Sequence, residues 1–345
     1  MESIEINNKK IGEKPFIIAE MSGNHNQSLD RAMAIVEAAA KAGADAIKLQ
    51  TYTADTMTLK GAWVIEEEES LWKGIELHDL YKMAYTPWEW HQPIFERAKE
   101  LGMIAFSSPF DATAVDFLET LDAPLYKIAS FENTDHPLLK KVAQTGKPVI
   151  MSTGAANLSD IDEAVRVLRE NGCTELVLLK CTSTYPASPE TTNLATIPHL
   201  QQIFDCPVGL SDHTMGVGAA IASVALGACV IEKHFTLSRA DGGVDSAFSI
   251  EPEELKTLVI ESERAFKALG KVQYGIQNAE KNSKQFKRSI YLAKDIKAGD
   301  VLSMDHLKVI RPGFGLEPKY LDVVLNKTIH QDIKAGTPLT WELLF

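Results

Sequence analysis

Residues 148–181 read PVIMSTGAANLSDIDEAVRVLRENGCTELVLLKC and contain one complete strand–helix–strand unit. The run 148–152 is short and apolar, with Val149 and Ile150 favouring an extended chain. Ser159 is placed to cap a helix in which Ile161, Ala164, Val165 and Leu168 follow the i, i+3, i+4, i+7 rule, and Gly172 is placed to stop it. The run 176–181 is apolar again. Two such strands joined by a helix pair in parallel. Outward from this unit the pattern repeats, with strands predicted at 16–20, 44–50, 103–107 and 125–129 before it and at 207–211 and 229–234 after it. Glu251 and Pro252 open the last helix, which carries Leu255, Leu258, Val259 and Phe266 on its inner face and ends at Gly270. Eight β/α repeats predict an α/β fold, a closed (β/α)8 TIM barrel.

The residues that end these strands are chemical rather than inert. They are Glu20, then Lys48 and Gln50, Ser107 and Ser108, Lys127 and Ser130, Ser152 and Thr153, Lys180 and Thr182, Ser211 and His213, and finally Glu232 and His234. A polar residue after one strand is ordinarily a turn or a helix cap. Eight in register point to the C-terminal mouth of a barrel, where the loops after the strands converge on an active site. His213 and His234 end adjacent strands and can reach one point. A pair of neutral imidazoles with carboxylate or water suits manganese, iron or zinc, whereas magnesium is more often held by carboxylates. Lys48 and Lys127, with Ser108, Ser130, Ser152 and Ser211, offer charge and hydroxyl donors to a phosphate or carboxylate. Glu20 and Glu132 supply carboxylates to orient hydroxyls or move a proton. No Gly-rich phosphate loop is present, so nucleotide hydrolysis is not indicated.

A 345-residue chain that is 45% hydrophobic can bury a large core. Its formal net charge of −12 argues against a nucleic-acid partner, because a phosphate backbone demands a basic face. Residues 1–15 are polar and mixed in charge, and nowhere does the chain approach the roughly 18 consecutive apolar residues a membrane helix needs. No membrane association is expected, and the location expected is cytoplasmic. Cys173, Cys181, Cys206 and Cys229 show no CxxC spacing and read as buried reduced thiols. The long gap after the second strand holds Trp63, Trp72, Trp88 and Trp90, which suits a lid or substrate wall. The acidic run 66–69 within it reads as solvated surface.

Three parts are expected: a barrel domain over 1–270, a polar linker over 271–287 and a small β-rich domain over 288–345. In the last, Asp295-Ile-Lys-Ala-Gly299 recurs as Asp332-Ile-Lys-Ala-Gly336, which suggests internal pseudo-symmetry. Between the copies lies Arg311-Pro-Gly-Phe-Gly315, a rigid turn able to present a guanidinium.

Taken together, Ile18-Ala-Glu20-Met-Ser-Gly-Asn24-His25, Lys48-Leu-Gln50-Thr51-Tyr52, Phe106-Ser-Ser-Pro-Phe110, Tyr126-Lys127-Ile-Ala-Ser130, Ser152-Thr-Gly154, Gly209-Leu-Ser-Asp-His213 and Ile231-Glu-Lys-His234 resemble the sialic acid synthase family. The resemblance runs from about Ile11 to the end. It implies a TIM barrel followed by an antifreeze-like (SAF) domain, and condensation of phosphoenolpyruvate with an N-acetylated amino sugar. It implies His213 and His234 as ligands of a divalent metal, Mn2+ or Mg2+. Lys48, Lys127, Ser152 and Ser211, with Ser108, fall on phosphate contacts, and Gln50 falls near the phosphoenolpyruvate carboxylate. Glu20 falls on the carboxylate that orients the open-chain sugar, Tyr185 on its binding wall and Asp245 on a contact to a sugar hydroxyl. Arg311 matches an arginine that one subunit inserts into its partner's site, which implies a domain-swapped homodimer. Tyr85-Thr-Pro-Trp-Glu-Trp-His91 and residues 311–320 are most similar to the branch whose sugar is 2,4-diacetamido-2,4,6-trideoxy-L-altrose, and Ser183 replaces the Asn usual beside the acetamido group. Surface glycans or flagellin are where the family's product is expected. Two rivals follow from the residues alone. An aldolase or phosphosugar hydrolase on the same barrel would need no phosphoenolpyruvate, and a carbohydrate-binding protein would bind sugar without turnover.

Overall fold

The computed structural model describes residues 4–6, 9–12, 14–68 and 70–344. Glu69 of the acidic run and the terminal residues of both expected domains lie outside the described residues. The chain forms two compact units, Met1–Gly270 and Lys271–Phe345.

The first unit is a closed barrel of eight parallel strands: β1 (Phe16–Glu20), β2 (Ala46–Thr51), β3 (Ile104–Pro109), β4 (Tyr126–Ile128), β5 (Val149–Ser152), β6 (Leu176–Cys181), β7 (Val208–Asp212) and β8 (Val230–His234). Each is followed by a helix: α1 (Leu29–Ala42), α2 (His91–Glu100), α3 (Ala112–Thr120), α4 (His136–Ala143), α5 (Leu158–Glu170), α6 (Thr196–Phe204), α7 (Gly218–Ala225) and α8 (Pro252–Leu269). Closure comes from β8 against β1, with His234 opposite Glu20. Covered on one side by helices and on the other by the barrel interior, the strands are buried on both faces, which is why their sequences read as unbroken apolar runs.

Strand alternation sorts the side chains. Phe16, Ile18, Ala46, Ile104, Phe106, Leu125, Ile150, Val177, Leu179 and Val230 fill the lower interior as one cluster. Their neighbours in sequence face the helices: Ile17, Ala19, Ile47 and Leu49 pack with Ile35 and Val36 of α1 and Leu255 and Leu258 of α8. On the other side of the barrel, Val149, Met151, Leu176, Leu178, Val208 and Leu210 pack with Leu138 and Val142 of α4 and Val165 and Leu168 of α5. Gly209 marks the tightest point of the wall, because a Cβ there would come within 2.2 Å of the Val230 carbonyl oxygen.

One element was not expected, and one expectation needs correction. Within residues 1–15, Ile4–Ile6 and Lys9–Ile11 pair in antiparallel fashion. Ile4, Ile6 and Ile11 join the lower interior cluster and close that end of the barrel. Lys14 holds the Asp45 carboxylate at 3.0 Å, and the same carboxylate accepts the Ile17 N–H at 3.0 Å. The correction concerns α5, whose cap is Asn157 rather than Ser159. The Asn157 side-chain oxygen accepts the Ser159 and Asp160 N–H groups at 2.9 and 3.2 Å, and the Asp160 carboxylate returns a bond to the Asn157 N–H. That reciprocal box satisfies three N–H groups at once, which a serine inside the first turn cannot do. The acidic residues Glu66, Glu67 and Glu68 are exposed, as read.

In the second unit, Ser289–Leu292 pairs antiparallel with Leu307–Ile310. The two DIKAG copies pair with each other. Ile296 and Ile333 exchange both backbone bonds at 2.9 Å, Lys297 meets Asp332 at 2.5 Å, and Lys334 meets Asp295 at 2.6 Å. The same bonds made in both directions constitute a local pseudo-two-fold. Beneath it lies a core of Ile290, Leu292, Ile296, Leu302, Leu307, Val324, Ile329, Ile333 and Leu339. The stretch 271–287 is exposed and includes a run of 3-10 turns over Asn278–Phe286.

Candidate active site

Above the apolar layer the barrel interior turns polar. Alternation continues inward past Ile18, Ala46 and Phe106, so the next inward positions of β1, β2 and β3 are Glu20, Lys48 and Ser108. β4, β5, β7 and β8 likewise contribute Lys127, Ser152, Ser211 and Glu232. Lys48 and Lys127 are only 3% and 1% exposed, a costly placement for an ammonium unless its partners are close. The partners are close. Lys48 Nζ lies 2.5 Å from Glu20 Oε2 and 3.8 Å from Glu232 Oε2, and donates to Ser108 Oγ at 3.2 Å. Lys127 Nζ donates to Ser152 Oγ at 2.6 Å and to the Ile128 carbonyl at 2.8 Å, and stands 4.0 Å from Glu232 Oε1. Ser211 Oγ donates to that same Glu232 oxygen at 3.1 Å.

Two cations thus share two carboxylates, and burial treats the carboxylates differently. Burial pushes the Glu20 carboxyl up to about 7 against the pull of Lys48. Burial also opposes charge on Glu232, but Lys127 and Lys48 together hold it below the usual carboxylate range. Burial lowers the Lys127 ammonium, whereas Lys48, equally buried, is raised by Glu20 and Glu232. Glu132, in the 3-10 turn Ser130–Glu132 after β4, is pushed up to about 7 by burial, and one of its oxygens has no hydrogen-bond partner among the described residues. Carboxyls that titrate near neutrality can move protons at working pH.

The two histidines stand side by side, ring centroids 5.3 Å apart. His213 Nδ1 lies 3.0 Å from the Thr182 carbonyl and 3.8 Å from Cys181 Sγ. His234 Nδ1 is buried without a hydrogen-bond partner among the described residues, 4.0 Å from the Asp245 carboxylate. Burial, with His213 and Lys48 nearby, holds His234 well below the ordinary imidazole range and therefore neutral. A neutral ring with an unused nitrogen is what a metal ligand requires. Among the described residues no group of three or more His, Cys, Asp and Glu side chains is arranged to hold a metal ion. The imidazole pair is thus two side chains rather than a full ligand set.

Aromatic rings wall this corner. Tyr185 packs 4.5 Å from His213 and 5.2 Å from Phe248, and Phe248 packs 5.0 Å from His234. From the long segment after β2, Trp72 reaches within 6.4 Å of Tyr185 and donates its indole N–H to the Val244 carbonyl at 3.0 Å. The tryptophans of that segment divide their work: Trp88 stacks on Phe117 and Trp90 meets His25 edge-on, while Trp63 is exposed.

The structure therefore brings together Glu20, Lys48, Ser108, Lys127, Ser152, Ser211, His213 and His234, with Tyr185 and Asp245 beside the histidines. Ser130 sits at the rim, where its Oγ accepts the Gly154 N–H at 3.2 Å. Gln50, half-buried, is the next inward residue of β2 beyond Lys48. Asp245 does not cap its own turn. Its carboxylate instead accepts the Gly23 N–H at 3.4 Å. Arg311 is exposed in the second unit. Lys180, grouped with the other strand-end lysines by sequence, points to the helix side and donates to Thr182 Oγ1 at 2.6 Å. Two residues at the heart of the site carry no role in the sequence reading. Glu232 was legible as the inward residue two before His234. Cys181, one of four free thiols, lies in the site because it is the last inward residue of β6; burial opposes its thiolate, but His213 brings it down to about 6.

A closed barrel whose mouth gathers buried lysines, serines and a histidine pair, followed in the chain by a small second unit, defines a class. The chain belongs to the NeuB family, whose model matches residues 35–274, and carries a SAF domain matched over 287–344. Pseudaminic acid synthase of Campylobacter jejuni is 43% identical over 339 residues, covering 97% of this chain and 98% of its own length. That of Helicobacter pylori is 40% identical over 332 residues, 95% and 97% of the two chains. The crystal structure of the N-acetylneuraminic acid (sialic acid) synthetase of Leptospira borgpetersenii in complex with citrate has a TM-score of 0.74 at 33% identity, covering 82% of this chain and 95% of that one.

Proposed function

We propose that the protein condenses phosphoenolpyruvate with 2,4-diacetamido-2,4,6-trideoxy-L-altrose and water, giving pseudaminic acid and phosphate. The reading rests above all on two fully buried lysines, ringed by serine hydroxyls, opening beside a histidine pair. Such a cluster is expensive to fold and is repaid when a small polyanion binds. Identity of 43% and 40% to two pseudaminic acid synthases over nearly the whole chain supports the choice of sugar.

In this reaction Lys48, Lys127, Ser108, Ser130, Ser152 and Ser211 hold the phosphate, and Gln50 faces the carboxylate of phosphoenolpyruvate. Glu20 orients the open-chain sugar against Tyr185 and Asp245. His213 and His234 are the residues that would hold a divalent ion, manganese or magnesium, and such an ion would supply Lewis-acid chemistry for the aldehyde. The π pair of phosphoenolpyruvate forms the new bond from carbon 3 to the aldehyde carbon, the carbonyl π pair passes to the aldehyde oxygen, which becomes a hydroxyl with the proton released by the added water, and positive charge develops at carbon 2. Glu132, ionised near neutral pH, takes a proton from the water that adds there. The tetrahedral intermediate then breaks its C–O bond and releases phosphate into the lysine–serine cluster, where preorganised charge supports it.

Arg311 is proposed to complete the site of a second copy, making the active species a domain-swapped homodimer. Its exposure, and the nearly full exposure of Val272 at 88% and Tyr274 at 92% in the preceding stretch, fit surfaces that a second subunit covers. Mixing His213→Ala with Arg311→Ala tests this. Each variant alone is expected to be inactive, while the mixture regains about a quarter of wild-type turnover through heterodimers. An inactive mixture of exchanged subunits overturns the shared site. A cytoplasmic location is proposed from four cysteines that form no disulfide; among the described residues no helix is long and apolar enough to cross a membrane.

The second reading is an N-acetylneuraminate or legionaminate synthase, favoured by the 33% identity to the Leptospira enzyme. Mass spectrometry separates them. Phosphoenolpyruvate is offered with N-acetylmannosamine and with the manno and altro diacetamido-trideoxyhexoses, and efficient product from the altro sugar alone is expected. Preference for either other sugar overturns the assignment, and product without phosphoenolpyruvate overturns the class.

A further inference from the structure

Each histidine of the pair is preceded by a charged residue that the reaction above does not use. Asp212 comes before His213 and Lys233 before His234, and strand alternation turns both to the outside of the barrel wall, under the helices. There their side chains are 0% and 1% exposed and meet at 2.7 Å. They are also opposite one another in the ladder, on the last rung at which β7 and β8 are paired. His213 and His234 lie one residue past that rung, where the backbone ladder no longer fixes their separation.

The ion pair does more than join two strands. Asp212 Oδ1 accepts the Thr214 N–H at 2.9 Å, and Lys233 Nζ donates to the Thr214 carbonyl at 2.6 Å. Carboxylate, ammonium and the Thr214 backbone thus close a ring around His213, and the residue that supplies the ammonium is bonded directly to His234. Stability alone gives little reason for this arrangement, because an apolar pair of similar volume packs at such a position at no greater cost. An ion pair fixes direction as well as distance, which apolar contact does not. We infer that Asp212 and Lys233 are positioning residues that set the separation and orientation of the His213 and His234 imidazoles, and through them the affinity for a divalent ion. The inference rests on the proposed reading of those histidines as the metal pair.

The test is Mn2+ binding to the full-length chain, followed by the electron paramagnetic resonance signal of the free ion, with near-ultraviolet circular dichroism as the check on folding. His213→Ala is the control, and Asp212→Asn, Lys233→Met, the double variant and Lys233→Arg are the probes. Asp212→Asn and Lys233→Met are expected to bind Mn2+ about 10- to 100-fold more weakly. At fixed Mn2+ their kcat falls, while KM for phosphoenolpyruvate stays within about twofold because Lys48 and Lys127 are untouched. The double variant is the deciding one. It carries no unpaired buried charge, so a merely structural pair predicts recovery of both folding and Mn2+ affinity, whereas a positioning pair predicts recovery of folding alone. Lys233→Arg, which keeps the cation, should bind more tightly than Lys233→Met. A folded double variant with wild-type affinity overturns the inference, as does failure of every probe to fold. Wild-type protein that binds no Mn2+, or His213→Ala that binds as well as wild type, overturns the metal reading itself.

Discussion

Glu20 and Lys48 meet at 2.5 Å inside the barrel, and Lys297 and Asp332 meet at 2.5 Å on the C-terminal unit. The side chains of the first pair are 1% and 4% exposed, those of the second 61% and 77%. Equal distances therefore describe unequal interactions. On the surface, water screens both charges, and a pair contributes little whether made or broken. In the interior each charge has lost its water, and the pair is held together by what either member would suffer alone. Burying four charged groups within one barrel opening makes folding harder, which is why such a cluster marks chemistry rather than scaffolding.

The contrast can be broken most severely at Lys48. Lys48→Met leaves two carboxylates facing one ammonium and removes a proposed phosphate contact. Turnover should fall about a thousandfold or more, and urea titration should show a loss of about 3–5 kcal/mol. The double variant Glu20→Gln/Lys48→Met should recover stability but not activity; recovery of both would mean the pair is only structural. Next in size is Glu132→Gln. With its carboxyl raised to about 7, Glu132 loses its charge as pH falls through neutrality. As a base it works only when ionised, so wild-type kcat should decline on the acid side of about 7. The glutamine variant should lose about a hundredfold at pH 8 and show a shallower acid decline, the remainder belonging to Glu20, which titrates in the same range.

A smaller effect is expected at Trp72. Trp72→Phe keeps a ring over Tyr185 but loses the 3.0 Å bond to Val244, next to Asp245. One hydrogen bond of this kind corresponds to about a tenfold change in kcat/KM for the sugar, with KM for phosphoenolpyruvate unmoved; equal effects on both substrates would assign the indole to general packing. Smallest of all, Lys297→Met should leave both the thermal midpoint and the turnover indistinguishable from wild type. A clear drop would show that the paired DIKAG copies act as a unit rather than as exposed contacts.

How far the sequence led depends on which physical signal carried each feature. Strand positions were legible because doubly buried strands leave apolar runs, and their edges moved by no more than two residues, as where 44–50 became Ala46–Thr51. Most of the polar ends of those runs gather at one mouth of the barrel. What periodicity could not supply was the sense of each side chain. Lys180 and Lys127 both end strands, yet one faces the helices and the other the interior, and only register separates them. For the same reason Glu232 was named among the strand ends without a role, and the Asp212–Lys233 pair stayed hidden in motifs whose neighbours had been singled out. The hairpin of Ile4–Ile6 and Lys9–Ile11 was missed because three isoleucines among charged residues are too few to establish a period. The DIKAG repeat was visible as a repeat, but that its copies bind each other follows only from the fold.

Barrel closure has a consequence for how this protein is made. Glu20 lies in the first barrel strand to leave the ribosome and His234 in the last barrel strand, yet they are ladder neighbours. A nascent chain that stops short of residue 230 carries two open strand edges, and its lysines and Glu20 have neither Glu232 nor the second imidazole. Translation of the last barrel strand therefore closes the wall and delivers Glu232 and His234 at the same moment, and a shortened chain has unpaired edges suited to aggregation.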